Sequence, residues 1–150
     1  MLTYGLKSPR DLLEKLKRDG ALLNEEVTSD KFFNFVATGW AIKDWVKNDE
    51  SLPTSARSIV ESSAQNDQLL QICRDLANAS KHFVLSRSEP IISTAESAQG
   101  YGLGRYGKGR YGYGEEDIQI TLNDGSAVSC LELVKGVILS WDRFFLSHGL

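Results

Sequence analysis

Over the first half of the chain, apolar residues recur at the three- and four-residue spacing of amphipathic helices. Three helices are predicted there, over residues 8–20, 28–48 and 54–64. Ser8, Pro9 and Asp11 make a typical helix start, and Gly20 a typical stop. The second helix has the widest apolar face and should lie at the centre of the fold. That face joins two neighbouring rows, Phe32, Val36 and Trp40 in one and Phe33, Ala37, Ala41 and Trp45 in the other.

The most regular pattern predicts a fourth helix over residues 67–85. At about 100° per residue, one face of this helix is apolar. It comprises Leu69, Ile72, Cys73, Leu76, Phe83 and Val84. The opposite, polar face comprises Gln71, Arg74, Asp75, Asn78, Lys81 and His82. We therefore expect Ile72, Leu76 and Phe83 to be buried. The polar residues, among them Arg74 and His82, should face solvent.

Beyond residue 90 the pattern changes to the two-residue period of strands. Strands are predicted over residues 90–94, 117–122 and 126–129, with a hairpin turn at Asn123-Asp124-Gly125. A last helix over residues 131–146 would bury Leu131, Val134, Val137, Ile138, Trp141, Phe144 and Phe145, with His148-Gly149 ending it. Residues 1–150 are thus predicted to form one mainly α domain. It is a helical bundle of four to five helices with a small antiparallel β-sheet inserted before the last helix.

Composition narrows the functional classes. With 150 residues and a net charge of −3, the chain has the size of one domain and is not a basic nucleic-acid coat. Cys73 and Cys130 belong to no CxxC pair and no Cys/His cluster, so we expect free buried thiols, no metal site and no cofactor. The first residues lack a signal-peptide core, and no apolar run approaches the ~18 residues of a membrane span. We therefore expect a cytoplasmic protein without a membrane partner.

One low-complexity segment separates the predicted strands. It reads Tyr101-Gly-Leu-Gly-Arg105, Tyr106-Gly-Lys-Gly-Arg110, Tyr111-Gly-Tyr-Gly-Glu115, which is three tandem copies of one five-residue pattern. Residues 99–114 hold 7 of the 13 glycines and 4 of the 5 tyrosines. Because alternate glycines cannot pack a core and are costly to order, this segment is predicted to be a flexible loop.

Three interpretations of the repeat stay open. Its tyrosines can stack on unpaired bases while its cations pair with phosphate, as in a contact for single-stranded RNA. The residues that would make this contact are Tyr101, Arg105, Tyr106, Lys108, Arg110 and Tyr111. The repeat can instead be a solvated linker, which is the common state of glycine-rich segments. Tyrosine and arginine side chains also allow self-association.

The polar face of the fourth helix is the second candidate site. Arg74, Asn78 and His82 follow one another at four-residue steps, with Lys81 beside them. An imidazole can transfer protons near neutral pH, and a guanidinium can hold a phosphate through two hydrogen bonds. The alternative is that these residues are only the solvated face of an amphipathic helix.

The run Arg74-Asp-Leu-Ala-Asn78-Ala-Ser-Lys-His82, on a helix of a small bundle, resembles the motif of the HEPN superfamily. There an Arg, often followed by a polar residue, precedes a His by four to six intervening residues; here seven intervene. The resemblance implies a helical bundle that dimerises so that two motifs make one site. Many members are metal-independent endoribonucleases of toxin–antitoxin and phage-defence systems, and others bind without cleaving.

The resemblance also implies roles for individual residues. His82 would take the proton of a 2′-hydroxyl or protonate the leaving 5′-oxygen, and Arg74 would stabilise the charged phosphate. Asn78 and Lys81 would assist them. The partner subunit would supply a second Arg and His.

Two further features are less informative. Glu115, Glu116 and Asp117 form an acidic run, which can bind a cation but more commonly flanks a strand in solvent. His148 lies near the end of the chain, where disorder is common.

The sequence thus leads to two functional hypotheses. The first is an RNA-directed module, a candidate endoribonuclease, that works as a homodimer. The second is a non-catalytic helical protein whose Tyr/Gly-rich loop contacts a partner. An enzyme needs Arg74 and His82 to be accessible and near each other or near their symmetry mates, whereas a binding module needs only the loop.

Overall fold

The fold is mainly helical, with a small antiparallel sheet between the fourth and fifth helices, as predicted. The computed structural model describes residues 4–82, 90–100 and 115–150. In chain order the elements are α1 (Pro9–Glu25), α2 (Ser29–Asn48), α3 (Thr54–Gln65), α4 (Gln68–His82), β1 (Ile92–Gly100), β2 (Glu115–Leu122), β3 (Ala127–Ser129) and α5 (Cys130–His148). Within the described residues, no helix combines the length and the apolar character that crossing a membrane requires.

Helix α1 begins where predicted but ends later. The Ser8 hydroxyl accepts the N–H of Asp11 at 3.2 Å, and the Asp11 carboxylate accepts the N–H of Ser8 at 3.0 Å. The predicted stop at Gly20 is wrong, because α1 continues to Glu25. Gly20 is buried against α5, where a Cβ would lie 2.8 Å from Cδ1 of Ile138. The glycine therefore allows α1 and α5 to approach closely and does not end the helix.

Helix α2 lies at the centre of the bundle, as predicted, and contacts the other four helices. Phe32 and Val36 are buried as expected, but Phe33 and Ala37 of the second predicted row are exposed. Trp40, Ala41 and Trp45 are half-buried. The other buried stripe comprises Phe35, Gly39, Ile42 and Val46. The predicted row of Phe33 and Ala37 and the observed stripe of Phe35 and Gly39 both have helical spacing. The positions of the neighbouring helices determine which of the two is buried.

Helix α5 closes the bundle. Ser129 caps it through its hydroxyl, which accepts the N–H of Glu132 at 3.2 Å, and Gly149 ends it in the left-handed conformation at φ 66°. The indole N–H of Trp141 donates to the carbonyl of Gly39 at 2.8 Å, inside the core. Of the predicted apolar face, Leu131 and Ile138 are only half-buried. The buried members are Val134, Val137, Trp141, Phe144 and Phe145.

The sheet has the order β1-β2-β3, and both strand pairs are antiparallel. Ile118, Ile120 and Leu122 of β2 are buried, in agreement with their predicted alternation. The predicted turn connects β2 to β3, with Gly125 at φ 88°. Strand β1 is longer than predicted. It includes Gln99 and Gly100, which pair with Glu116 and Glu115 and so do not belong to the predicted loop.

Helix α2 can approach α4 and α5 closely only because residue 39 is glycine. A Cβ at Gly39 would lie 2.9 Å from Sγ of Cys73 and 3.2 Å from Cγ1 of Val137. We expect Gly39→Val to lower the free energy of unfolding by about 1–3 kcal/mol, because the added atoms force neighbours off their rotamers. Ala37→Val, on the exposed side of the same helix, should change it by less than about 0.5 kcal/mol. Urea denaturation of both variants measures this, and equal midpoints would contradict the close packing.

Candidate functional site

Helix α4 places the candidate residues along one side but not together. Successive four-residue steps on a helix advance about 6 Å each, so Arg74 and His82 lie about 12 Å apart along the axis and about 80° apart around it. Asn78 lies between them and is half-buried. Lys81 and His82 are exposed in the last turn. Phe83 and Val84, predicted to continue the apolar face, fall outside the described residues, whereas Ile72, Cys73 and Leu76 are buried as expected and Leu69 is half-buried.

Asp75 contradicts the prediction of a fully solvated polar face, because its side chain is only 2% exposed. One carboxylate oxygen accepts hydrogen bonds from Nε and Nη2 of Arg74, both at 2.9 Å. The other accepts the backbone N–H of Ile91 at 2.7 Å. A buried carboxylate is tolerated when it is paired and hydrogen-bonded in this way. The residue ties α4 to the segment that enters β1.

Arg74 is also less accessible than predicted, with its side chain 16% exposed. Asp75 fixes the plane of the guanidinium and balances its charge. Nε and one N–H of Nη2 are used by this pair, which leaves the N–H groups of Nη1 and the second N–H of Nη2 directed elsewhere. Such an arginine is a positioned donor of fixed geometry rather than a flexible surface cation.

The last turn of α4 is a small basic surface. Lys81 and His82 have no carboxylate partner within the part of the chain that the structure describes. Cations at a helix C-terminus are favoured by the negative end of the helix dipole. The exposed Lys81, the exposed His82 and the half-buried Asn78 can therefore meet a phosphate group from solvent without disturbing the core.

Sequence reasoning missed a cleft of about 260 Å³ between the ends of α3, α4 and α5. Asp67 lies in it, with Oδ1 accepting the N–H groups of Leu69 and Leu70 and Oδ2 accepting the Ser140 hydroxyl at 2.6 Å. His148 also lines the cleft. Its ring centroid lies 4.5 Å from that of Phe144, so the expected disorder at this position is wrong. The cleft combines residues from three helices, which no spacing along the chain could indicate.

Neither thiol forms a reactive site. Cys73 and Cys130 are free and buried, as predicted. Burial raises the pKa of both thiols, that of Cys130 to about 12, since no water stabilises the thiolate there. Across residues 4–82, 90–100 and 115–150, no three His, Cys, Asp or Glu side chains come together as metal ligands would.

The repeat cannot be assigned to this site. All of its candidate RNA contacts, from Tyr101 to Tyr111, lie in residues 101–114, outside the described residues. The candidate site that the structure describes therefore consists of α4 with its Arg74–Asp75 pair.

Comparison with known proteins yields no relative: no family model, no curated protein and no solved structure matches this chain. The resemblance of residues 74–82 to the HEPN motif therefore stays a prediction from the sequence.

A double-mutant cycle measures the coupling within the Arg74–Asp75 pair. We expect Asp75→Asn to lower the free energy of unfolding by about 3 kcal/mol, because it leaves a largely buried guanidinium without its counter-charge. Arg74→Met keeps the apolar stem and removes the charge. The double variant should lose at least about 1 kcal/mol less than the sum of the single losses. Urea denaturation gives these values, with the exposed Arg143→Met as a control near zero. Additive losses would show that the pair is not coupled.

Proposed function

We propose that this protein is an RNA-directed module of the HEPN-like type that works as a homodimer. The observation that carries the proposal is the arrangement on α4, where a positioned Arg74 is followed by Asn78 and by the exposed Lys81 and His82. These groups offer hydrogen-bond donors at successive turns of one helix. By the same resemblance, the proposed context is a toxin–antitoxin or phage-defence system.

Phosphate binding is the first role of this face. The N–H groups of Arg74 that Asp75 leaves unused can donate to two phosphate oxygens, and Lys81 adds a point charge near the end of the helix. Asn78 can orient a phosphate oxygen or a ribose hydroxyl. Single-stranded RNA is the favoured ligand, because its splayed bases can stack on aromatic side chains, which the sequence of the repeat supplies.

Cleavage without a metal ion is the proposed reaction. His82 takes the proton of a 2′-hydroxyl while that oxygen forms a bond to phosphorus and the bond from phosphorus to the 5′-oxygen breaks. A second imidazole must give a proton to the leaving oxygen, and Arg74 stabilises the extra charge on the phosphate. Since about 12 Å of helix separates Arg74 from His82 within one chain, the second set of groups is proposed to come from a second copy.

A second candidate function is binding without cleavage. The observation that favours it is the ion pair itself, because Asp75 balances the charge of Arg74 and lowers its attraction for a phosphate. In that case the chain is an interaction protein, and the Tyr/Gly-rich loop contacts its partner. The two functions are separated by whether bound RNA is cut.

Cleavage is tested with fluorogenic single-stranded RNA oligonucleotides of varied sequence, in the presence of a chelator. We expect His82→Ala to lower the cleavage rate roughly a hundredfold or more, the usual effect of losing a general acid or base. Its melting temperature should stay unchanged, since His82 is exposed. Arg143→Ala, which removes an exposed arginine of α5, is the matched control and should cleave normally. Cleavage that survives in His82→Ala, or an inactive wild type, would leave only the binding function.

RNA affinity is tested separately by a salt titration with labelled single-stranded RNA. Replacing Tyr101, Tyr106 and Tyr111 by Ser should weaken binding, since stacking contributes about 1–3 kcal/mol per base. Wild-type affinity should fall as salt rises, because phosphate contacts release counterions. Lys81→Ala should reduce that salt dependence. Equal affinities for the wild type and a variant in which Asn-Gly replaces residues 101–114 would assign the repeat to the class of linkers.

A further inference from the structure

Within residues 4–82, 90–100 and 115–150, strand β1 has a pairing partner on one side only. It pairs with β2 on one side and is the terminal strand of the sheet. The strand has nine residues, Ile92–Gly100, of which eight pair with β2, with one irregularity between Ile92 and Thr94. In an extended edge strand, every second residue directs its N–H and C=O away from the sheet. These groups form a template onto which another extended segment can pair.

The edge lacks most of the features that usually protect such strands. Natural edge strands carry lysines or prolines, or are very short or covered by another element. β1 is long, contains neither lysine nor proline, and consists mainly of Ser, Thr and Ala with Glu96 as its single charge. All side chains from 93 to 98 are exposed, on both faces of the strand. Among the described residues, these side chains leave the outer edge of β1 open to a partner strand.

The charges of strands β1 and β2 restrict the charge of a partner segment. β1 and β2 together contain four acidic residues and no basic one. The acids are Glu96, Glu115, Glu116 and Asp117. Glu96 lies opposite Gln119, on the face turned away from the buried Ile118 and Ile120. Asp117 is its diagonal neighbour on that outer face, and no cation of the described residues forms a salt bridge with the Glu96 carboxylate.

We propose that the free edge of β1 binds an extended, basic peptide segment of another protein as a fourth strand. The backbone groups would supply the hydrogen bonds, and a lysine or arginine opposite Glu96 would supply charge complementarity. A second copy of this chain fits less well, because pairing β1 with β1 would bring the acidic strands of two copies together. This inference does not depend on RNA binding at α4.

The probe is a labelled nine-residue peptide, capped at both ends, in which lysine alternates with valine or threonine. Fluorescence anisotropy with the full-length protein should show saturable binding. The same peptide N-methylated at its five central residues keeps its charge but cannot pair with an edge strand, so it should not bind. A version with glutamate in place of lysine should also fail to bind. Binding of the N-methylated peptide equal to that of the parent would overturn the proposal, because it would show attraction by charge alone.

Charge-reversal variants locate the site. Glu96→Lys should weaken binding of the basic peptide about fivefold or more, because a cross-strand attraction becomes a repulsion. Glu50→Lys makes the same change in net charge at an exposed position outside the sheet and should have little effect. Equal losses in both variants would contradict a site at β1.

Proline variants test the backbone pairing directly. Of the neighbouring residues Ala95 and Glu96, one directs its N–H towards β2 and the other directs it outwards. We expect proline at the residue whose N–H points outwards to leave the melting temperature of the protein unchanged and to abolish peptide binding. Retained binding in that variant would overturn the proposal. Light scattering gives a second test. If the wild type dimerises as its concentration rises and the same proline makes it monomeric, the proposal is also wrong, because a second copy then occupies β1.

Discussion

The buried carboxylate of Asp75 connects helix α4 to the segment that enters the sheet. Removing a carboxylate from water is costly, and the cost is offset only when its oxygens accept enough hydrogen bonds. Here the donors come from the preceding residue, Arg74, and from Ile91 at the entrance to the sheet. The same carboxylate therefore both orients the Arg74 guanidinium and attaches the start of the sheet to α4. A change on either side leaves the same charge unsatisfied.

The charges of the molecule are separated between these two parts. The last turn of α4 is basic, whereas β1 and β2 are acidic. A polyanion is attracted by the basic turn and repelled by the acidic strands, whereas a polycation experiences the reverse. The net charge of −3 does not reveal this separation, because it is a sum over the whole chain.

Local rules account for most elements of the fold. The helix starts at Ser8 and Thr28 follow from capping chemistry, and the turn ending at Gly125 follows from its sequence. The failures at Gly20 and Asp75 share one cause. At Gly20 the local pattern predicted a helix end, but α5 packs on the glycine within a longer helix. At Asp75 the local pattern predicted a solvent-exposed side chain, but the N–H of Ile91 donates to the buried carboxylate. The spacing of residues along the chain does not reveal contacts with distant segments. For the same reason, the site could be predicted as a set of residues on α4 but not as an ion pair.

The hydrogen bond between Trp141 and Gly39 spans 102 residues of chain. On the ribosome, α1 to α4 are therefore synthesised well before the helix that covers them. At about 5–20 residues per second, the wait from the end of α4 to the end of α5 is roughly 3 to 13 s. During that interval the central helix exposes the apolar stripe that α5 will later bury. The nascent chain therefore keeps this apolar surface in contact with water until the last helix docks.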